Sequence, residues 1–259
     1  MVLKMILLLL CVVSMYACHP TEGLKIKGGH SHNDYYHPRP LFDALRWGMV
    51  SVEADVFPVG DRLLVGHSLG ELSEYKSLEE LYLMPLYELY RNKQLDTLIL
   101  MVDIKEKGEE SYRILESKLD DYRPMLSVFA KHRLQKNHVT IILSGDRPST
   151  IFEQTFRYCA LDGRIDSISF AYDYTFYPLV SDNWEKHFSW DGEGAMTPHE
   201  CQKLRDIVNQ CHEQHKLLRF WNTPGRLPQS LSFWQLFQNE KVDLMGVDKP
   251  DEFNAFLND

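Results

Sequence analysis

The chain has 259 residues, with 28 Lys and Arg against 37 Asp and Glu and a formal charge of −9. That balance speaks against a nucleic-acid partner or an electrostatic hold on anionic lipid, both of which call for basic patches. The length suits one sizeable core and lies near the roughly 250 residues of a (β/α)8 barrel.

Lys4 followed by the apolar run Met5 to Cys18 has the form of an export signal over residues 1–18. The run is too short for a comfortable membrane span. Ala17-Cys18 resembles a bacterial lipoprotein cleavage site, so a lipid anchor at Cys18 and an exported, cell-envelope location are expected, with plain secretion as the alternative. Residues 19–259 are expected to form a single, monomeric domain. From there short β-rich runs alternate with helical ones. Leu24–Gly29 is predicted as a strand, Pro40–Trp47 as a helix, and Val50–Phe57 as the second strand. Leu63–Gly66 is expected to be a hairpin partner rather than a barrel stave. Ser77–Asn92 is predicted helical, started by Ser77 with Glu80 three residues on and kinked or split at Pro85. There follow a strand at Thr97–Ile104, helices at Glu109–Arg123 and Met125–Arg133, and a strand at His138–Leu143. A helix at Pro148–Tyr158 leads to a strand at Ser167–Tyr172. The sixth stave has no clean pattern and is sought in His187–Met196. Helix Pro198–His215, strand Lys216–Trp221, helix Leu231–Asn239 and strand Asp243–Val247 complete the series. Such alternation implies a mostly parallel sheet with helical cover, an α/β fold of the TIM-barrel kind. Cys159, Cys201 and Cys211 show no metal-binding spacing. Cys201 and Cys211 stand about 15 Å apart on one predicted helix, too far for a disulfide.

In such barrels the chemistry sits at the C-terminal ends of the strands. His30 and Asn33 follow the first strand, and Ser144 and Arg147 the fourth. Arg219, Trp221 and Asn222 end the seventh, and Asp248 follows the eighth. Glu53 and Asp55 lie two apart on a strand and so share a face. They repel unless a cation intervenes. Asp103 ends the apolar run Leu98–Val102, where an acid is costly to bury unless it is paired or metal-bound. Glu53, Asp55 and Asp103 are therefore the expected ligands of one divalent cation, and their oxygen-only set favours Mg²⁺ or Ca²⁺ over Zn²⁺. His30 and His67, on either side of the acidic strand, are the expected acid–base pair, since an imidazole can both take and give a proton near neutrality. His32 has a weaker claim, as a group that orients a neighbour. Lys105 is expected to meet a phosphate oxygen or to pair with Asp103. Trp221 is expected to wall the site.

These motifs resemble those of the phospholipase-C-like phosphodiesterases, the superfamily of glycerophosphodiester phosphodiesterases and spider sphingomyelinase D. His30-Ser-His-Asn33 is similar to the His-x-x-Asn of the sphingomyelinase D branch, and Glu53-Ala-Asp55 matches its E-x-D. His67 matches the second histidine, and Asp103-Ile-Lys105 the third-strand motif. Phe220-Trp221-Asn222-Thr223 and Gly246-Val247-Asp248-Lys249-Pro250 resemble the seventh- and eighth-strand segments. The His-Arg-Gly start and Pro-Glu-Asn turn of glycerophosphodiesterases are absent. The resemblance implies a bacterial branch of that superfamily and a barrel that binds one divalent cation. Its implied activity is cleavage of a glycerophosphodiester or phospholipid-type substrate by two histidines, with a cyclic phosphate as an intermediate where a neighbouring hydroxyl attacks. Asn33, Lys105 and Trp221 would contact the substrate. Two other readings stay open: a binuclear zinc hydrolase built on His30-Ser-His32, and a non-catalytic envelope lipoprotein that binds a phosphorylated ligand.

Overall fold

The computed structural model describes residues 23–25 and 27–258. The expected signal segment 1–18, with Cys18, lies outside them. Eight parallel strands close into a barrel: β1 (Gly28–Ser31), β2 (Ser51–Val59), β3 (Leu98–Ile104), β4 (Val139–Gly145), β5 (Cys159–Gly163), β6 (Leu179–Asn183), β7 (Leu217–Trp221) and β8 (Leu244–Val247). Each pairs with its sequence neighbours, and β1 closes the ring by pairing with both β8 and β2. The TIM barrel expected from the alternation is the fold.

Strand faces follow the period of two. Along β3, Leu98, Leu100, Val102 and Ile104 pack outward in the main core under the helices. Ile99 and Met101 face the other way and join Ile142, Leu179, Leu217 and Leu244 in a second cluster. That cluster fills the lower barrel, so polar groups higher on the same inward faces meet a closed apolar floor. The longest covering helices are α1 (Gly108–Tyr122), α2 (Pro198–Glu213) and α3 (Ser230–Glu240). The strand Arg62–Val65 pairs antiparallel with the end of β2, as the expected hairpin. The predicted helix start is in place. Ser77 Oγ accepts from the Glu80 amide, and the Glu80 carboxylate accepts from the Ser77 amide. A turn of π-helix, Glu79–Leu83, precedes Pro85, so the chain enters the following helix (Met84–Arg91) without needing the proline's missing N–H.

Three expectations are corrected. Ser167–Tyr172 is not the fifth stave. Asp166 accepts from the Ser169 amide at 2.7 Å and caps a short helix, Ser167–Ala171. The fifth stave is Cys159–Gly163 and the sixth Leu179–Asn183, so no stave falls in His187–Met196. The stave Cys159–Gly163 is buried along its whole length and lacks the alternation that marks a half-exposed strand. The predicted helices Met125–Arg133 and Pro148–Tyr158 give way to a small antiparallel sheet of Val128–Ala130, Arg133–Gln135 and Phe156–Arg157. Its hairpin turns at His132, whose φ of 56° ends any helix there.

Candidate active site

Strand β2 turns Glu53 and Asp55 into the barrel, while Val52, Ala54 and Val56 pack outward. The register sets Asp55 beside Asp103. Lys105, two residues on, faces the same way. One ligand oxygen from each of Glu53, Asp55 and Asp103 lies within 4.8 Å of the other two. The three acids expected to share an ion are thus brought together.

The hydrogen bonds divide the oxygens of these acids. Asp55 Oδ2 accepts from the Tyr35 hydroxyl at 2.8 Å, lies 3.0 Å from His67 Nδ1, and takes Lys105 Nζ at 2.7 Å. Asp55 Oδ1 is buried and has no partner among the described residues. Asp103 repeats the pattern: Oδ2 accepts from Lys105 Nζ at 2.7 Å, and Oδ1 is buried without a partner. Two desolvated carboxylate oxygens with no donor are what a hard cation would satisfy, so the residues present fit one. Burial raises the Asp103 pKa, and the charges of Asp55 and Glu53 push it the same way against the pull of Lys105. Gly145 makes room for this carboxylate. Its φ is 73°, and a Cβ there would stand 2.2 Å from Asp103 Oδ1.

His30 is fully buried and does not line the cavity. Its Nε2 lies 2.7 Å from Glu53 Oε2 and its Nδ1 2.8 Å from Ser51 Oγ. The carboxylate can only accept, so Nε2 carries the proton and Nδ1 accepts from the serine. Burial, helped by the Arg219 charge, lowers the His30 pKa to about 4, and the ring is neutral at pH 7. The structure therefore places this expected acid–base residue behind Glu53, with both ring nitrogens occupied. His32 stands at the cavity instead. Its Nδ1 lies 3.0 Å from Asp248 Oδ1, which leaves Nε2 available. The hydrogen bond from His32 holds the Asp248 carboxyl below its ordinary range. A side chain at Gly225 would collide with that carboxylate, at 2.6 Å from its carbon. His67 is arranged like His32: Asp55 holds Nδ1, and the ring lines the cavity.

The cavity itself holds about 330 Å³ at the C-terminal mouth. His32, Asn33, Glu53, His67, Asp103 and Lys105 form one side. Strands β4 to β7 supply Ser144, Asp162, Arg164, Ser181, Arg219 and Trp221. Asn33, in the left-handed region at φ 48°, lies 2.9 Å from the Tyr35 hydroxyl. Trp221 carries the Lys186 ammonium 5.9 Å above its ring. Asn222 turns aside to Asn183. A larger recess of about 540 Å³ at the N-terminal end of the barrel is lined by Lys27, His212, His215 and Asp243 among others. Among the described residues the acids above are the one group placed to share a metal ion.

Tyr35, Asp162 and Arg164 were not among the expected site residues, and Arg219 was expected at the mouth but given no role. Tyr35 looks like core from its sequence, and Asp162 and Arg164 sit on and just after the misplaced fifth stave. Arg219 Nη2 lies 3.2 Å from Glu53 Oε2, and both side chains are buried. Burial works against ionised Glu53, yet Arg219 and His30 together hold its carboxyl below the ordinary range. Arg219→Met is accordingly expected to destabilise the fold by about 3–5 kcal/mol at pH 7, since it strands a buried carboxylate. A depressed acid stabilises above its unfolded pKa, and that contribution is lost as pH falls through the folded value. The variant should therefore differ most from wild type at neutral pH, and below about pH 4 the wild-type advantage should shrink steadily as pH falls toward the lower folded value. Urea unfolding at a series of pH values checks this.

A closed parallel barrel with clustered acids and two carboxylate-held histidines at its C-terminal mouth is similar in arrangement to the phospholipase-C-like phosphodiesterases, as the motifs led one to expect. Residues 21–97 match the model of the AIM6-like phosphodiesterase domain. The chain is 26% identical over 271 residues to the altered inheritance of mitochondria protein 6 homolog of Arthroderma benhamiae, covering 90% of this chain and 84% of that protein. It is 25% identical over 265 residues to altered inheritance of mitochondria protein 6 of Saccharomyces cerevisiae, covering 85% and 68%. In fold it is similar to a calcium-dependent phosphoinositol-specific phospholipase C from Pseudomonas, with TM-score 0.57, 10% identity, and coverage of 90% and 93%. A glycerophosphoryl diester phosphodiesterase from Parabacteroides distasonis follows with TM-score 0.55, 12% identity, and coverage of 90% and 87%. These relatives correct one expectation. The named sequence relatives are fungal proteins of altered mitochondrial inheritance, not bacterial envelope lipoproteins or secreted proteins, so the expected exported location does not stand.

The binuclear zinc reading lacks its nitrogen ligands. His138 precedes β4 at the wrong end of the barrel and packs its ring on Tyr90. Neither β5 nor β6 carries a histidine.

Proposed function

We propose that this chain cleaves phosphodiesters of the glycerophosphodiester or phospholipid type, with Glu53, Asp55 and Asp103 holding one Mg²⁺ or Ca²⁺. Residues 19–259 act as one catalytic domain. His67 and His32 are the acid–base pair, and His30 positions Glu53. The observation that carries this reading is that two imidazoles, each held at Nδ1 by its own carboxylate, face the cavity of the acidic triad. The AIM6-like phosphodiesterase match and the two phosphodiesterase folds support the reaction class.

When bound, the cation supplies Lewis-acid polarisation of a non-bridging phosphate oxygen. The remaining work falls to side chains. One imidazole takes the proton of the attacking hydroxyl, from water or from a neighbouring group of the substrate, through its free Nε2. The other gives a proton to the leaving oxygen. Asp55 and Asp248 fix the tautomers and stabilise each imidazolium as it forms. Lys105 and Arg219 stand at the cavity wall as fixed positive charge for the equatorial oxygens. Asn33 and Trp221 border the substrate.

A metal-supplemented screen of glycerophosphodiesters, lysophospholipids, sphingomyelin and phosphoinositides, read by phosphorus NMR, tests the proposal. Metal-dependent cleavage of at least one class is expected, with a cyclic or an open phosphate identifying the attacking group. No turnover of any diester with Ca²⁺, Mg²⁺ or Mn²⁺ would overturn it.

A further inference from the structure

Resting on that reading, we infer that the β4–β6 wall of the cavity selects substrates whose head group is an uncharged polyol. The wall continues directly from the triad. Ser144 is the register partner of Asp103 on the next strand, and neighbouring strands lie about 4.8 Å apart. Ser144 Oγ donates to Asp162 Oδ2 at 3.0 Å, and Ser181 Oγ donates to the same oxygen at 2.6 Å. Arg164 Nη1 also bonds it, at 2.6 Å, along with the carbonyls of Gly163 and Ser181. Ser181 is in turn the register partner of Arg219, which returns to Glu53. A polar arc thus runs from Asp103 across four further strands and closes on the triad.

The middle of this arc, Ser144, Asp162, Arg164 and Ser181, has no part in cleaving the phosphate. Asp162 is almost wholly buried, its Oδ1 has no partner among the described residues, and the residue lines the cavity. Burying an acceptor unsatisfied is costly. The two serine hydroxyls spend their protons on Asp162 and keep lone pairs to accept with. Arg164 makes its bonds through Nη1, and no hydrogen bond among the described residues uses its Nε or Nη2. The wall therefore offers three acceptors and a planar donor, a set that suits a run of hydroxyl groups.

Charge narrows the class. Arg164 is balanced by Asp162 and Arg219 by Glu53. Lys105 is shared between Asp55 and Asp103. No cation lining the cavity is left to meet a second phosphate. A quaternary ammonium would want an aromatic cage, and Trp221 is the one aromatic ring in the cavity lining described. An ethanolamine head brings one donor group and no run of hydroxyls to fill the wall.

The test compares diesters with the same lipid chain and glycerol, inositol, choline or ethanolamine head groups, using metal-loaded protein. In wild type a polyol head is expected to lead choline and ethanolamine in kcat/KM by at least about 10-fold. A site built to bond hydroxyls discriminates strongly against analogues without them. Ser181→Ala and Arg164→Gln should each lower the polyol-to-choline ratio about 5- to 10-fold, mainly through KM. Product inhibition by the polyol phosphate relative to inorganic phosphate should weaken in parallel. Ser144→Ala, which removes only one hydroxyl, serves as a third variant should Arg164→Gln unfold. A wild-type preference for choline or ethanolamine, or ratios unmoved in the variants, overturns the inference while leaving phosphodiester cleavage in place. Failure to cleave any diester overturns the underlying reading and the inference with it.

Discussion

Asp55→Asn is expected to lower phosphodiester cleavage by about 10³-fold or more, and to remove the response of the protein to divalent cations. The reason lies in how the side chain is divided. Oδ2 is committed to Tyr35, His67 and Lys105, while buried Oδ1 has nothing to bond. An amide keeps the shape but carries no charge for an ion, and it weakens the grip on His67. Two processes fail together, each worth several kcal/mol in the transition state. A direct readout of the ion separates them. At a free concentration 100 times its Kd, a bound ion stabilises the folded chain by about 2.7 kcal/mol, a rise in Tm of about 5–10 °C for a chain of this size. Wild type should show that rise with Ca²⁺ or Mg²⁺ and lose it in EDTA, and Asp55→Asn and Asp103→Asn should show none. An unchanged cation shift in both variants would rule the triad out as a metal centre. Lost activity in Asp55→Asn, with no shift and no EDTA effect in wild type, would reduce Asp55 to the partner of His67.

His67→Ala and His32→Ala are each expected to reduce kcat/KM by about 10²–10⁴-fold, the usual worth of a general acid or base. The two losses should respond differently to the leaving group. A nitrophenolate departs without protonation, so the variant lacking the acid recovers most of its rate on a nitrophenyl diester, and the variant lacking the base does not. That contrast assigns the roles, which the near-identical settings of the two rings leave open. Wild type should show a bell-shaped pH profile, and each variant should lose one limb. His30→Gln should behave otherwise. Its effect should enter through Glu53 as weaker cation binding, about 10–100-fold as for other groups that orient a metal ligand, with both limbs of the profile kept. Two intact limbs in His32→Ala, together with a lost limb in His30→Gln, would return the acid–base role to His30.

Much of this site was legible in the linear chain because strands impose a period of two. Glu53-Ala-Asp55 and Asp103-Ile-Lys105 each put two functional groups on one face, and nothing in the fold can separate them. The hairpin from β2 back to His67 was equally readable from its short apolar run. His30 against His32 was not. The two lie two apart and near the end of one strand, so periodicity treats them alike. Depth in the barrel separates them: His30 sits level with Ser51 and Glu53, while His32 lies just past the strand end, where Asp248 can reach it. The head-group wall was missed for a different reason. The run Ser167–Tyr172 alternates like a strand, and Cys159–Gly163 is short, buried and unpatterned, so the fifth stave and its Asp162 were sought in the wrong place. Asp166 one residue before Ser167, in helix-capping position, was the available local signal.

Local chemistry was sufficient for the alternation of strands and helices, the pairing of acids on β2 and β3, and the reaction class those acids suggest. All of these depend on neighbours within a few residues and on the two-residue pleat. Which histidine reaches the cavity, which oxygens are left bare for an ion, and which side chains face the head group depend on contacts between residues far apart in the chain. Asp248 is 216 residues from His32, and Arg219 is 166 from Glu53. Only closure of the barrel brings such groups within hydrogen-bonding distance, and it does so by strand register, which no short window of sequence encodes.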